Sequence, residues 1–170
     1  MTQHAKIVLQ DAKYAISHHN DQLQSEWFRI SWISVVTLLR AVGNVLKNVD
    51  SLSSPEMKRS INEKWEEINK SKPEPKIFWE FIVKERNRFL KNYKHGIDRS
   101  IITITALSGG LLKVDCGDSR GGQFSPGSKL TSIITSGSFE GRYEKEVAWE
   151  AYNWWEEYLN EIDEMVKKLL

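Results

Sequence analysis

The chain has 170 residues, of which 40% are hydrophobic and 28% are charged, so its composition favours one globular domain and excludes a disordered chain. The formal net charge of +1 excludes the overall basic excess of a protein that coats DNA, so any nucleic-acid surface must be a local patch. The single cysteine, Cys116, excludes an internal disulfide and a cysteine-based zinc site, and is typical of a reducing compartment.

The N-terminal part of the chain predicts neither a signal peptide nor a membrane anchor. Asp11 and Lys13 interrupt the region in which a signal peptide carries its apolar run. The longest uncharged apolar segment, Ile30 to Leu39, is roughly half as long as a membrane span and is flanked by Arg29 and Arg40. We therefore expect a soluble cytoplasmic protein that does not act at a membrane.

Apolar periodicity predicts the first two helices. The first, about Ala5 to Asn20, has one apolar side. The second, about Leu23 to Asn48, is apolar round most of its circumference, and at about 100° per residue its Arg29, Arg40 and Lys47 fall on one narrow stripe. A helix that is apolar nearly all round is usually central, so we expect the second helix to form the core of a helical bundle.

Start and stop signals define the next two helices. Ser54 is suited to cap the third helix and Pro55 to occupy its first turn. The segment KPEP at residues 72–75 ends that helix. The fourth helix is then predicted from about Lys76 to His95, with Gly96 as its C-terminal stop.

The region of about residues 100–137 changes to strand-forming and turn-forming residues. The runs IITITAL and LLKV, joined through Ser108-Gly109-Gly110, predict a β-hairpin, and LTSIIT adds a third strand. The glycine-rich loop at 116–129 departs from a phosphate-binding loop because Ser128 precedes Lys129, so we interpret it as a connector. A helix from about Glu140 to the end has one apolar and one acidic face. The fold class is therefore mainly α: one domain over residues 1–170, an antiparallel helical bundle with a small antiparallel β insert before the C-terminal helix.

No cofactor or metal site is expected. His18 and His19 are adjacent near the end of the first helix, and neighbouring side chains on a helix point about 100° apart, so they do not form a chelating pair. We expect them at the surface or at the helix end. The loop pattern of a calcium site is also missing from the sequence.

The candidate functional residues lie in KERNRFLKNYKHG, residues 84–96. On a regular helical wheel Arg86 falls in the middle of the apolar face, where a guanidinium needs a carboxylate or a cleft. Lys84, Arg88, Lys91 and His95 fall together on the opposite face. Arg88 and His95 are two turns apart there, so their functional groups could converge on one phosphate.

The wheel also predicts the partner of Arg86. We expect a buried carboxylate, with Glu150 or Glu161 of the last helix favoured over Glu26. Arg86→Ala is then expected to cost about 3–5 kcal/mol, and Arg88→Ala no more than about 0.5 kcal/mol.

Long helices around a central bundle, with one helix that bears Arg, a polar residue and then His, resemble the HEPN (higher eukaryote and prokaryote nucleotide-binding) domains. The resemblance covers about Ala5 to His95 and the final helix, and the β insert is outside the common core of that family. More locally, FWEFIVKERNRFLKNY resembles a motif of short uncharacterised bacterial proteins. In HEPN ribonucleases an Arg is followed after four to six residues by a His, and two copies meet in a dimer cleft that cleaves RNA.

Here the HEPN pattern is divided between two arginines. Arg86 has the polar neighbour Asn87 but no His at the required distance, whereas Arg88 reaches His95 across six residues but is followed by Phe89. The resemblance implies a homodimer and leaves two functions open.

The preferred function is a non-catalytic HEPN-like interaction module that binds RNA or a partner protein, with Lys84, Arg86, Asn87 and Lys91 as binding residues. The alternative is a metal-independent endoribonuclease. The resemblance then implies that His95 is the general acid or base, that Arg88 stabilises the phosphorane charge, and that cleavage leaves a 2′,3′-cyclic phosphate.

Overall fold

The structure is a computed structural model that describes residues 1–20, 25–93, 95–106, 112–118 and 128–170. In chain order, the elements are α1 (Gln3–His18), α2 (Ser25–Asn48), a 3₁₀ turn (Asp50–Leu52), α3 (Pro55–Lys70), a π-helical segment (Ile77–Val83), α4 (Lys84–Asn92), β1 (Ile97–Ala106), β2 (Leu112–Asp118), β3 (Ser128–Ile134) and α5 (Glu144–Leu169). The predicted mainly helical architecture, with a small antiparallel sheet before the C-terminal helix, is confirmed.

The start of α3 forms as its sequence predicts. Pro55 is the first helical residue, and the Ser54 hydroxyl accepts a hydrogen bond from the Met57 N–H at 3.1 Å. This is the bond by which a serine cap satisfies one of the free amides of a first helical turn.

The sheet is antiparallel, with β1 between β2 and β3. Ser100 lies opposite Asp118 in the β1–β2 pair, and Ile97 lies opposite Ile134 in the β1–β3 pair. The predicted hairpin and third strand are therefore confirmed. The turn predicted at residues 108–110 and residues 119–127 of the glycine-rich loop lie outside the described residues.

The core is built around α2, as its nearly continuous apolar surface predicts. α5 packs its own apolar face against the same cluster, together with α1, α3 and the π-helical segment. By length and composition the segment Glu26–Leu52 could cross a membrane, and the core helix of a soluble protein meets the same two criteria. The buried side chains of α2 are those of Phe28, Trp32, Val35, Val36, Leu39, Val42 and Leu46.

The N-terminus of α1 is held by a distant carboxylate instead of a local cap. Asp50, in the 3₁₀ turn, accepts hydrogen bonds from the backbone N–H groups of His4 at 3.1 Å and Ala5 at 2.9 Å. The amides of a first helical turn have no partner within the helix, and the positive end of the helix dipole favours a carboxylate there. Asp50 therefore ties α1 to the turn that follows α2.

A second carboxylate, Asp163 of α5, holds the residues just before and after this helix start. It accepts from the Thr2 N–H at 2.8 Å, from the Thr2 hydroxyl at 3.1 Å and from Lys6 Nζ at 2.7 Å. Burial raises the pKa of Asp163, but the hydrogen bonds from Lys6 and Thr2 outweigh burial and hold that pKa below its usual value. α1 is thereby joined to α5 as well.

His19 is the residue that ends α1, so the helix-end position that was one of the two alternatives is found. It is buried, with 1% of its surface exposed, so the other alternative, a surface position, is wrong for this residue. Its Nδ1 lies 3.0 Å from the Ser31 hydroxyl and its Nε2 lies 3.4 Å from Glu144 Oε1. Lys145 Nζ donates to the His19 carbonyl at 2.7 Å. These contacts connect the end of α1 with α2 and with the start of α5.

The fourth predicted helix is not a regular α-helix. It begins as the π-helical segment and ends at Asn92, where Tyr93 takes a left-handed conformation with φ 51° and ψ 35°. A π-helix bonds each residue to the fifth one along, so it turns by a smaller angle per residue than an α-helix does. The predicted end at His95 is wrong, because His95 and Gly96 lie beyond the helix.

Candidate functional site

The change in helical phase after the π-helical segment puts Glu85 into the interior in place of Arg86. Glu85 is only 7% exposed. Its Oε1 accepts from Trp32 Nε1 at 3.3 Å and from the Gly96 N–H at 3.0 Å, and its Oε2 lies 3.3 Å from Arg88 Nη1. Each contact reaches a different part of the chain, so this carboxylate joins α4 to α2 and to the residue before β1.

The predicted ion pair between Arg86 and the last helix is wrong. Glu150 instead pairs with Arg142 at 2.8 Å, and Glu161 pairs with Lys64 at 2.7 Å. Arg86 is partly exposed, and among the described residues no carboxylate lies within ion-pair distance of it. Its guanidinium does not need a buried acid because the π-helical segment has rotated it out of the apolar face.

Arg86 faces another cation. Its Nη1 donates to Asn87 Oδ1 at 3.1 Å. Burial and, after it, the positive charge of Arg86 lower the pKa of Arg40 on α2. Two like charges close together without an acid are unfavourable, so this region favours an external anion.

A third arginine extends this arrangement along α2. The Arg29 guanidinium lies 5.6 Å from the centre of the Tyr93 ring, which places Arg29 beside the end of α4. Arg29 and Arg40 are eleven positions apart on α2 and point in nearly the same direction at about 100° per residue. We call Arg29, Arg40 and Arg86 the arginine stripe. Within the described residues, no member of the stripe forms an ion pair with a carboxylate.

The Arg88 guanidinium is engaged by other residues of the chain. Its Nη2 donates to the Ser136 hydroxyl at 3.1 Å, in addition to the Nη1 contact with Glu85. A Cβ atom added to Gly96 would lie 1.7 Å from Arg88 Nη1, so the guanidinium lies directly against the Gly96 backbone. Arg88 therefore connects the end of α4 with the residue that precedes β1 and with the segment that follows β3.

His95 does not share a helical face with Arg88, as the wheel predicted, because α4 ends before it. Its Nδ1 lies 3.2 Å from the Ile97 carbonyl, and since a carbonyl only accepts, Nδ1 is the protonated nitrogen in this contact. The ring packs edge-on against Phe28 at 6.0 Å between centroids. Arg88 is nevertheless near His95, because its guanidinium lies against Gly96, the residue that follows His95.

The two predicted lysines differ in their contacts. Lys84 is exposed and forms an ion pair with Glu80. Lys91 is exposed, and no ion pair to it is found in the part of the chain that the structure describes. Next to Lys91, Leu90 is 54% exposed, and Tyr93 is 65% exposed. The end of α4 therefore presents a cation together with apolar surface.

Sequence reasoning missed Glu85, although a signal for it was present. Phe81 and Phe89 lie four residues before and four residues after it, and both are buried. Residues four apart share one side of a helix, so Glu85 lies in line with two core phenylalanines. Its partners Trp32 and Gly96 are separated from it by 53 and 11 positions and could not be read from a local pattern.

The structure reverses the expected order of two substitutions. Arg88→Ala is expected to lower the free energy of unfolding by about 1–2 kcal/mol, because the buried carboxylate of Glu85 loses the partly exposed cation with which it is paired. Arg86→Ala is expected to change it by no more than about 0.5 kcal/mol, because it removes only a hydrogen bond to a neighbouring amide. Urea unfolding of both variants measures the difference, and a larger decrease for Arg86→Ala would contradict this assignment.

Gly96→Ala provides the matched control for that comparison. Its Cβ would displace the Arg88 guanidinium, so we expect a decrease in stability similar to that of Arg88→Ala. In the double variant Arg88→Ala/Gly96→Ala the guanidinium is absent, and the next nearest atom to the new Cβ is Glu85 Oε2 at an ordinary 3.5 Å. The two effects should therefore not add.

Comparisons of the chain with protein-family models, curated proteins and solved structures found no match. Among the described residues, no group of three or more His, Cys, Asp or Glu side chains is placed to hold a metal ion. The functional argument therefore rests on the contacts and charges of this chain.

Proposed function

We propose that the chain is a non-catalytic, HEPN-like interaction module whose arginine stripe binds single-stranded RNA. The observation that carries the proposal is the lack of an ion-paired carboxylate for Arg29, Arg40 and Arg86 within the described residues. The sequence has 24 basic and 23 acidic residues, so acids are not scarce in the chain. Unpaired cations that follow one side of α2 and the adjacent side of α4 fit the regularly spaced phosphates of a nucleic acid.

An exposed aromatic ring beside the stripe favours single-stranded RNA over a partner protein. The Tyr93 ring is largely exposed and lies beneath the Arg29 guanidinium. Proteins that bind single strands combine cations that contact the phosphates with aromatic rings on which bases stack. Lys91 of α4 adds an exposed positive charge, Lys84 adds one that is paired with Glu80, and Asn87 adds an amide next to Arg86.

The contacts of Arg88 and His95 support binding over catalysis. A catalytic arginine has to reach the phosphorane oxygens, but Arg88 is engaged by Glu85 and Ser136. His95 has one ring nitrogen directed at a backbone carbonyl. Both residues stabilise the junction between α4 and β1 in this arrangement.

The RNA proposal is tested with a labelled single-stranded RNA and fluorescence anisotropy at several salt concentrations. Arg86→Gln/Lys91→Gln is expected to bind more weakly and to reduce the slope of log K against log salt by roughly 0.7 for each phosphate that the variant no longer neutralises. The variant should fold, because removal of Arg86 relieves the repulsion on Arg40.

Arg59→Gln/Lys58→Gln is the matched control, because it removes the same charges from the exposed side of α3. It should leave the salt slope unchanged. Equal slopes for both double variants, or no binding by the wild type, would refute RNA binding along the stripe.

The alternative proposal is a metal-independent endoribonuclease that uses Arg88 and His95. One observation favours it: the Arg88 guanidinium covers the Gly96 backbone, so it lies beside the residue that follows His95. Incubation of the same RNA with wild type and with His95→Ala, both in EDTA, separates the two functions. Cleavage by the wild type that is abolished in His95→Ala would replace the binding module by the enzyme, and intact RNA in both samples supports the module.

We also propose that the module forms a homodimer through the outer face of α2. Trp27 is 61% exposed and Ile30 is 46% exposed on the side of α2 opposite the core. Analytical ultracentrifugation at micromolar concentration should give a dimer for the wild type and a monomer for Ile30→Glu. Ile7→Glu on α1, where the isoleucine is also 61% exposed, is the control that should remain dimeric. A monomeric wild type would contradict the proposal.

A further inference from the structure

A cavity of about 310 Å³ lies between α2, α3, α5 and the π-helical segment. Its α2 wall carries Arg40, Asn44 and Lys47, which share one side of that helix because they are spaced by four and three residues. The cavity is some distance along α2 from the Arg29 end of the stripe. Its volume is at the lower end of the range of about 300–1,000 Å³ that is typical of ligand sites.

The charge of the cavity wall is positive. Arg40 and Lys47 both line the cavity, and of the described residues that line it none is acidic. Arg40 is partly buried, and Arg86 repels it from outside the cavity. An anion in the cavity would therefore supply the charge that the protein does not.

Aromatic side chains also line the cavity. Phe78 and Trp155 line the cavity with 0% and 2% of their surfaces exposed, and the Arg40 guanidinium lies 5.9 Å from the centre of the Phe78 ring. Trp65 of α3 and Tyr158 of α5 add two more rings. Trp65 is only partly buried, so it is the ring of this set on which a planar group in the cavity can stack.

A buried hydrogen-bond donor at the cavity has no acceptor. The indole Nε1 of Trp155 is buried, and no hydrogen-bond partner for it is found within the described residues. A buried indole N–H normally finds an acceptor. Trp155 is thus a residue of the cavity wall whose polar atom has no partner among the described residues.

Gly43 allows the Trp155 ring of α5 to approach α2 beside the Arg40 guanidinium. A Cβ at this position would lie 2.9 Å from Trp155 Cη2 and 3.3 Å from Arg40 Nη1. The glycine therefore holds the indole and the guanidinium against the same turn of the helix. The benzo ring of Trp155 therefore lies on the same side of the cavity as the Arg40 guanidinium.

We propose that this cavity binds a small molecule in which an anionic group is attached to a planar aromatic ring. The anion lies between Arg40 and Lys47, and the ring contacts the aromatic side chains that line the cavity. The volume admits one ring system with its anionic group and excludes a dinucleotide. The inference does not rest on RNA binding, because it concerns a different ligand in the cavity, and Arg40 is the one residue that the cavity shares with the arginine stripe.

Isothermal titration calorimetry with four probes tests the proposal. AMP carries a phosphate that is joined to an adenine ring through a ribose, and indole-3-acetate carries a carboxylate that is joined to an indole ring through a methylene. Adenosine lacks the phosphate of AMP but keeps its ring and ribose, and inorganic phosphate is the anion alone. At least one of the first two should bind in a saturable one-to-one manner, and adenosine and phosphate should each bind at least about tenfold more weakly than AMP if AMP is the probe that binds. Which of AMP and indole-3-acetate binds more tightly distinguishes a phosphate from a carboxylate ligand.

Two variants locate the binding. Arg40→Gln should weaken it at least about tenfold, the effect of removing one charge-assisted hydrogen bond. Asn62→Trp adds a bulky ring at an exposed position of the cavity rim and should abolish binding without disturbing the core. Arg59→Gln, outside the cavity, is the control. No saturable binding of either aromatic anion, adenosine binding as tight as that of AMP, or full affinity in either cavity variant would each overturn the proposal.

Discussion

Glu85→Ala is expected to lower the free energy of unfolding by about 3 kcal/mol. The carboxylate is 7% exposed and accepts hydrogen bonds from the Trp32 indole and the Gly96 amide, both of which are buried. Without the carboxylate these two donors lose this acceptor, and each buried donor left without a partner costs about 1–3 kcal/mol of stability. Arg88 also loses its ion pair. Urea unfolding followed by tryptophan fluorescence measures the decrease.

Two further variants show whether the buried contacts cause this effect. Glu80→Ala removes a glutamate from the same helical region whose partner Lys84 is exposed, so it should cost no more than about 1 kcal/mol. Glu85→Gln keeps one carbonyl oxygen as an acceptor and should cost less than Glu85→Ala. If Glu80→Ala and Glu85→Ala cost the same, the assignment of Glu85 as the buried anchor of α4 is wrong.

The burial of Glu85 also determines where Arg86 points. Adjacent residues on a helix are about 100° apart, so a helix that directs Glu85 to the core turns Arg86 towards its flank. That flank faces α2 and Arg40. The structural carboxylate thus orients a cation of the arginine stripe, and we expect Glu85→Ala to weaken RNA binding through the position of Arg86.

Local patterns in the sequence were sufficient for much of the fold. Ser54 and Pro55 predicted the start of α3 because a capping hydroxyl and a proline act on the residues next to them. The central position of α2 followed from an apolar surface that only burial on most sides can satisfy. The three strands followed from alternating β-branched residues between turn residues.

The candidate site was less predictable because its geometry depends on a phase change and on distant partners. A wheel drawn at a constant angle through the π-helical segment placed Arg86 in the core and His95 beside Arg88. The cluster of Arg29, Arg40 and Lys47 on one side of α2 was visible in the sequence. The aromatic side chains that line the cavity together with Lys47 were not visible, because Trp155 comes from a helix more than a hundred residues further along the chain.

Asp50→Ala is expected to cost about 3 kcal/mol and to loosen α1 first. Asp50 is 2% exposed and accepts from the His4 and Ala5 amides, so alanine leaves two donors of the first helical turn without their acceptor and removes a negative charge from the positive end of the dipole. Urea unfolding gives the total decrease in stability, and hydrogen exchange should be faster at the first amides of α1 than in α5. Asp11→Ala, on the exposed side of the same helix, should change stability by no more than about 0.5 kcal/mol. Unchanged exchange at His4 and Ala5 in Asp50→Ala would mean that Asp163 alone anchors α1, and the decrease in stability should then be found in Asp163→Ala instead.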